Sequence, residues 1–237
     1  MKRFALCATL IASAAAAGGE EDAFVEANVL GIFFHELAHA IIDVMHVPIY
    51  AREEDAADVA SVVLIEEIFK PDIALDLAYH IAEGFRAEAQ RNAGRDLPVW
   101  GVHGLDAQRF YNMVCLFYGA EPEARAGFAR DMGLPSERAE SCAEEYDLAF
   151  ASWAAVLDDL NAGQRIELQS EPPNGLFAQV LVNEIEALTD EFTFPGAITV
   201  NITRCGNADA FYDPEDRTIT ICTELDADLR ELYRHLD

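Results

Sequence analysis

Residues 28–44 read NVLGIFFHELAHAIIDV. Val29, Ile32, Phe33, Leu37, Ala40, Ile41 and Val44 recur at helical spacing, so the stretch is predicted to be a strongly apolar helix that Pro48 closes. Within it stands His35-Glu36-Leu37-Ala38-His39, the pattern H-E-x-x-H. Residues four apart lie one turn apart on one helix face, so both imidazoles can bind a single metal ion. Glu36 is offset, where it can reach a water on that ion. An ionised glutamate on an apolar helix is costly unless it has a partner or a task.

A catalytic zinc site needs a third protein ligand and one open position. The run Glu53-Glu54-Asp55-Ala56-Ala57-Asp58 opens the next predicted helix, residues 53–69. Glu54 and Asp58 share a face of it. Glu54 can therefore be the third ligand while Asp58 accepts the outer N–H of a ligating histidine. Glu53 is read as a solvated acid favoured by the helix N-terminus.

H-E-x-x-H followed by E-x-x-x-D on the next helix resembles the gluzincins, the thermolysin-like zinc metallopeptidases. His35-Glu36-Leu37-Ala38-His39-Ala40 with Glu53 to Asp58 is more narrowly similar to a bacterial family of candidate metallopeptidases of uncharacterised function. Gln108-Arg109-Phe110-Tyr111-Asn112, Cys205-Gly206 and Ala210-Phe211-Tyr212-Asp213-Pro214 resemble that family too. The resemblance implies one zinc ion per chain on His35, His39 and Glu54, Glu36 as general base, and Asp58 behind the ligands. It implies a peptide or protein substrate and hydrolysis by a zinc-activated water. A further donor for the oxyanion is expected from His103, Tyr111 or Tyr212. The spacing departs from thermolysin: only 14 residues separate His39 from Glu54, and Glu53 precedes the ligand. Metzincins are excluded, because Ile42 and Met45 stand where that family needs glycine and histidine.

Working outward, the chain is predicted to be α+β and predominantly helical: a zincin-like active-site helix pair with a small C-terminal β-ribbon. Further helices are expected from Pro71 to near Gly94, from Asp106 to Tyr118, and from Pro135 to about Leu160. Residues 18–160 form the zinc-binding helical region. Residues 161–174, with Gly163, Pro172 and Pro173, read as a linker. Residues 175–237 hold one amphipathic helix and the ribbon, packed on the same domain. Ile198, Val200 and Ile202 alternate with polar residues, as do Thr218 to Ile221, around a turn at Asp213-Pro214-Glu215-Asp216. A hairpin pairing Tyr212 with Arg217 places Asn207 opposite Cys222. Zincins set an edge strand above the active-site helix. Here residues 211–222 are expected to supply it, as in a circular permutation. His80 falls on a core stripe; His46 and His235 are expected at the surface.

Residues 1–17 read as a cleaved signal peptide: Lys2 and Arg3, an apolar run, then Ala15, Ala16 and Ala17 before Gly18. The mature chain is expected to be secreted or periplasmic, with no stable membrane insertion, since the next apolar run is broken by charges. Export makes disulfides the favoured state of Cys115, Cys142, Cys205 and Cys222. Of three connectivities, neighbours in sequence are preferred, 115–142 and 205–222, the second because the hairpin brings its cysteines together.

Sixteen Lys plus Arg against 43 Asp plus Glu give a net charge of −27 in 237 residues. That argues against nucleic acid as a partner, since phosphates must be met by cations, and against docking on an anionic membrane. Apolar residues at 51% exclude wholesale disorder. Three functions fit: an exported zinc metallopeptidase, a non-catalytic zinc-stabilised binding protein, and a zinc hydrolase of non-peptide amides.

Overall fold

The structure, a computed structural model, describes residues 19–97, 99–160, 163–169 and 171–236. Residues 1–17, read above as a signal peptide, lie outside the described residues. The elements run α1 (Glu20–Met45), α2 (Glu53–Ile68), α3 (Pro71–Arg91), α4 (Asp106–Ala120), α5 (Ala126–Asp131), α6 (Ser136–Asp158), β1 (Ile166–Leu168), α7 (Leu176–Glu191), β2 (Ile198–Thr203), β3 (Ala210–Asp213), β4 (Thr218–Cys222) and α8 (Glu224–Tyr233).

The H-E-x-x-H helix, α1, is the axis of the molecule. It packs against α2, α3, α7, α8 and β3. Phe24, Phe33, Phe34 and Ala38 have no exposed surface at all. A helix apolar on every side must be enclosed by protein or lipid. This one is long and apolar enough to cross a membrane, yet 67% of its most apolar window is buried inside the fold. It ends at His46, whose left-handed backbone (φ 53°) lets the Val47 N–H return to the Ile42 carbonyl at 2.9 Å. Pro71 starts α3 at a position where its missing N–H costs nothing.

Two devices hold the helical layer in place. Arg125, 1% exposed, pairs with Glu66 of α2 and donates to the Phe117 carbonyl at 2.7 Å. Breaking a buried pair of this kind costs roughly 3–5 kcal/mol, so α2, which carries Glu54, is firmly placed. Helices α4 and α6 cross at Gly119, where a Cβ would lie 2.1 Å from the Cys142 carbonyl oxygen. The Cys115–Cys142 disulfide locks the same crossing.

The four strands lie in the order β1-β2-β4-β3. β1 and β4 both run parallel to β2, while β3 pairs antiparallel with β4. β4 is central and buried on both faces, so Ile219 and Ile221 have no exposed surface and Thr218 is also buried. The expected ribbon is therefore a small mixed sheet. The stretch read as a linker supplies its strand β1, paired from Ile166 to Leu168 with Ile198 to Val200. Helices α5 and α8 were not foreseen either: α5 has six residues, and α8 follows β4 with no punctuating glycine or proline.

The hairpin register differs by two from the expected one. Tyr212 pairs with Ile219, and Asp213 with Thr218, leaving Pro214 to Arg217 as the loop. Arg217 sits in the left-handed region (φ 57°), and the Asp213 carboxylate accepts the Glu215 N–H at 2.9 Å. This side-chain turn closes the loop one residue later than a tight turn over Asp213 to Asp216 would. Cys222 consequently faces Asp209, whose carbonyl accepts its N–H at 3.0 Å, instead of Asn207. The Cys205–Cys222 bridge forms nonetheless, because β2 runs parallel to β4 with Thr203 opposite Cys222, which leaves Cys205 two residues beyond that pair. The edge strand beside α1 is β3 alone; β4 lies inside the sheet.

Candidate metal centre

His35 and His39 project from one face of α1 towards the first turn of α2. Three atoms converge there. His35 Nε2 lies 3.3 Å from His39 Nε2 and 3.3 Å from Glu54 Oε2, and His39 Nε2 lies 3.4 Å from the same oxygen. Zinc binds imidazole nitrogen and carboxylate oxygen at about 2.0–2.2 Å. A tetrahedron with bonds of that length has ligand–ligand edges of roughly 3.3–3.5 Å. The triangle thus already has the shape of one tetrahedral face, and the donor set, two imidazoles and a carboxylate, suits zinc.

The outer ring nitrogens are also occupied. His35 Nδ1 is 2.9 Å from Asp58 Oδ1, although the N–H axis does not point straight at that oxygen. His39 Nδ1 contacts Glu53 Oε1 at 2.8 Å. Glu53, read from sequence as merely solvated, is half exposed but fixes the second imidazole. Asp58 in turn receives two hydrogen bonds from Arg109, at 2.8 and 2.7 Å. The Arg109 guanidinium packs over the Phe85 ring at 4.8 Å. Sequence reasoning missed Arg109 as a site residue. Its signal was an arginine on an apolar helix in a chain poor in cations.

These contacts set the protonation states. Burial pushes the Asp58 carboxyl up, but Arg109 and His35 outweigh it and hold it at about 2. His103, His35 and His39 together keep Glu54 far below the usual carboxylate range. Burial disfavours the His35 imidazolium, yet Asp58 and Glu54 raise it to about 9; Glu54 and Glu53 raise His39 against the same opposition. Without metal, the imidazole pair therefore holds protons more tightly than free imidazole does, and a metal ion must displace them. Glu36 is 8% exposed, and burial raises its carboxyl above the ordinary value despite the neighbouring histidines.

A cavity of about 340 Å³ opens on this cluster, with His35, Glu36, Asp58 and His103 in its wall. His103 comes from the loop between α3 and α4, and its Nε2 lies 2.9 Å from Glu54 Oε2. Of the three candidate oxyanion donors, only His103 is on that wall. Tyr212 donates instead to Asp43 at 2.8 Å, one turn beyond His39, and burial and Asp43 both push its hydroxyl pKa up. Tyr111 is 40% exposed with its ring against Phe110. His80 is half-buried, edge-on to Phe24, and His46 and His235 are exposed, as expected. Both expected disulfides are present, 115–142 and 205–222.

No curated protein and no solved structure matches this chain. A family match covers residues 5–157 and 173–237, which include every residue of the centre just described. The chain accordingly belongs to the family DUF4344, whose description is "Putative metallopeptidase".

Proposed function

We propose that this protein is an exported zinc-dependent metallopeptidase of gluzincin type, with His35, His39 and Glu54 as ligands and Glu36 as general base. The observation that carries the reading is the 3.3–3.4 Å triangle of ligand atoms beside a buried glutamate on a cavity wall. Zinc bound there supplies a Lewis acid that polarises a scissile carbonyl and brings the pKa of water towards neutrality. Glu36 takes the proton of the attacking water and passes it to the leaving amine nitrogen. Its burial raises its proton affinity, as that exchange requires. Asp58 and Glu53 hold the Nδ1 sides of the imidazoles so that both Nε2 lone pairs face inward. His103 donates a hydrogen bond to the oxygen that gains charge. The edge strand β3, whose first residue Ala210 lies on the cavity wall, aligns the substrate by strand addition. Two disulfides support an oxidising compartment, and the leader-like residues 1–17 support export.

Glu36→Gln tests the reading. The variant should keep its zinc and lose at least roughly 10²-fold in peptide turnover, since glutamine cannot accept the proton. Full turnover with full zinc would remove Glu36 from the mechanism. One observation favours a second reading, a zinc-stabilised binding protein: His103 lies 2.9 Å from Glu54 Oε2 and could complete a closed set of four ligands. A cobalt-substituted protein whose absorption spectrum changes on replacing His103 by alanine, but not on adding a small hydroxamate, would favour it.

A further inference from the structure

The cavity beside Glu36 is unusually acidic. Six carboxylates line it, Glu36, Asp58, Glu88, Asp106, Asp209 and Asp228, against one arginine, Arg109. Arg109 is committed to Asp58 through two hydrogen bonds. Arg91, outside the lining, is shared by Glu88, through its Nε at 3.2 Å, and Asp228 at 2.9 Å. Asp106 accepts a hydrogen bond from the neutral amide of Asn92 at 2.7 Å and lies within the field of Arg109. Asp209 accepts hydrogen bonds from the Ala210 N–H at 3.0 Å and the Asn207 amide at 3.3 Å, both neutral donors. The wall therefore carries more negative charge than its own cations offset. Burial raises the Glu88 carboxyl; Arg91 opposes this, while Asp228 and Asp106 add to it.

Apolar side chains share the lining with these carboxylates, among them Ile32, Ile81, Phe85, Leu225 and Leu229. An apolar sleeve with acids in its wall suits a side chain with a methylene stem and a charged end. An anionic side chain would be repelled there. A wholly apolar one would desolvate carboxylates without pairing them.

We propose that this cavity is the specificity pocket for a lysine or arginine side chain of a peptide cleaved at the adjacent metal centre; this rests on the peptidase reading above. The acids of α3, α4 and α8, chiefly Glu88, Asp106 and Asp228, receive the cationic end, and the sleeve receives the stem. The fit is to basic peptides, in keeping with the −27 charge of the whole chain.

The test compares peptides that differ at one position, lysine against norleucine, which keeps the stem and loses the charge. The zinc-loaded protein should cleave the lysine series with kcat/KM at least about tenfold higher, the weight of one partly buried charge pair. The preference should shrink in high salt. Asp228→Asn combined with Glu88→Gln should collapse the lysine-to-norleucine ratio towards one. Glu140→Gln with Glu137→Gln, remote exposed acids with the same change in net charge, should leave that ratio alone. The same peptides titrated into zinc-loaded Glu36→Gln by calorimetry give the preference without turnover. If nothing is cleaved but lysine peptides still bind better, the peptidase reading fails and the pocket stands. Equal binding of lysine and norleucine, or an unchanged ratio in the double variant, overturns the pocket.

Discussion

Asp58→Asn tests how far the metal centre depends on side chains that never touch the metal. In the folded protein the Asp58 carboxyl is held at about 2, against an ordinary value of 3.8. At roughly 1.4 kcal/mol per pH unit, that is about 2 kcal/mol of stabilisation. The group is 13% exposed, so solvent screening takes little of it. The sign follows from the lowered pKa. The contribution is complete above about pH 4, where the unfolded carboxyl is ionised, and is lost as pH falls through about 2. Asp58→Asn should therefore unfold at lower urea than wild type at pH 7, measured without metal, and the gap should close in strong acid. Asparagine also leaves the half-buried Arg109 guanidinium unpaired. Arg109→Met on top of Asp58→Asn should then cost less than the sum of the two single changes, because the second charge leaves with the first. For zinc, loss of the carboxylate at His35 Nδ1 should weaken binding about 10–100-fold in a competition titration with a chromophoric chelator. Wild-type zinc affinity in Asp58→Asn, or strictly additive stability losses, would refute the chain of support from Arg109 through Asp58 to His35.

Glu54→Ala should empty the site, whereas Glu53→Ala should keep zinc with affinity reduced by about 10–100-fold; the reverse pattern by metal analysis would place the ligand one residue earlier. Cys205→Ala with Cys222→Ala should cost roughly 2–4 kcal/mol in urea unfolding and also impair turnover, because the bridged loop carries Asp209 to the cavity wall; unchanged turnover would separate loop from site. Glu184, 5% exposed with an unpartnered Oε1, has its carboxyl raised by burial to about 7. The unfolded chain ionises above its ordinary 4.5 while the folded one keeps its proton, so stability falls as pH rises from there through 7, by about 3 kcal/mol. Glu184→Gln, neutral throughout, should thus gain about 3 kcal/mol over wild type between pH 4 and pH 8; an equal difference at both pH values would refute the assignment.

The helical half of this molecule was legible because its signals are local. The spacing from Val29 to Val44 and the proline at 71 each report on one segment, and the boundaries fall within a few residues of those expected, except that α1 starts at Glu20, eight residues before the apolar stretch from Asn28. The pairing of His35 with His39 on one face was legible for the same reason: four residues along a helix is one turn, whatever surrounds it. The sheet was less so. β1 is three residues long inside a stretch rich in breakers, and its pairing with β2 depends on the crossover through α7, a non-local fact. The register of β3 on β4 turned on the Asp213 side chain and the left-handed Arg217, which the dipeptide signal of a proline turn does not distinguish.

The side chains behind the His35–His39–Glu54 cluster were harder to read than the cluster itself, and the reason is physical. A ligand must face the metal, which fixes its place on a helix relative to the other ligands. A support only has to reach the far side of an imidazole, which any neighbouring element can do. Asp58 was legible because it shares a face with Glu54. Glu53 does not share that face, yet it reaches His39 because α2 begins alongside α1 and its first side chains fan around the helix end. Arg109 arrives from α4, 51 residues away in sequence from the carboxylate it holds. It nevertheless follows from the chemistry of Asp58. A carboxylate this buried, facing a histidine that must stay neutral to bind metal, needs another cation for charge balance. Among the described residues, Arg109 is the arginine placed to provide it. An imidazole gives up its positive charge when it binds a metal, and the arginine behind Asp58 would keep that carboxylate ionised if His35 did so.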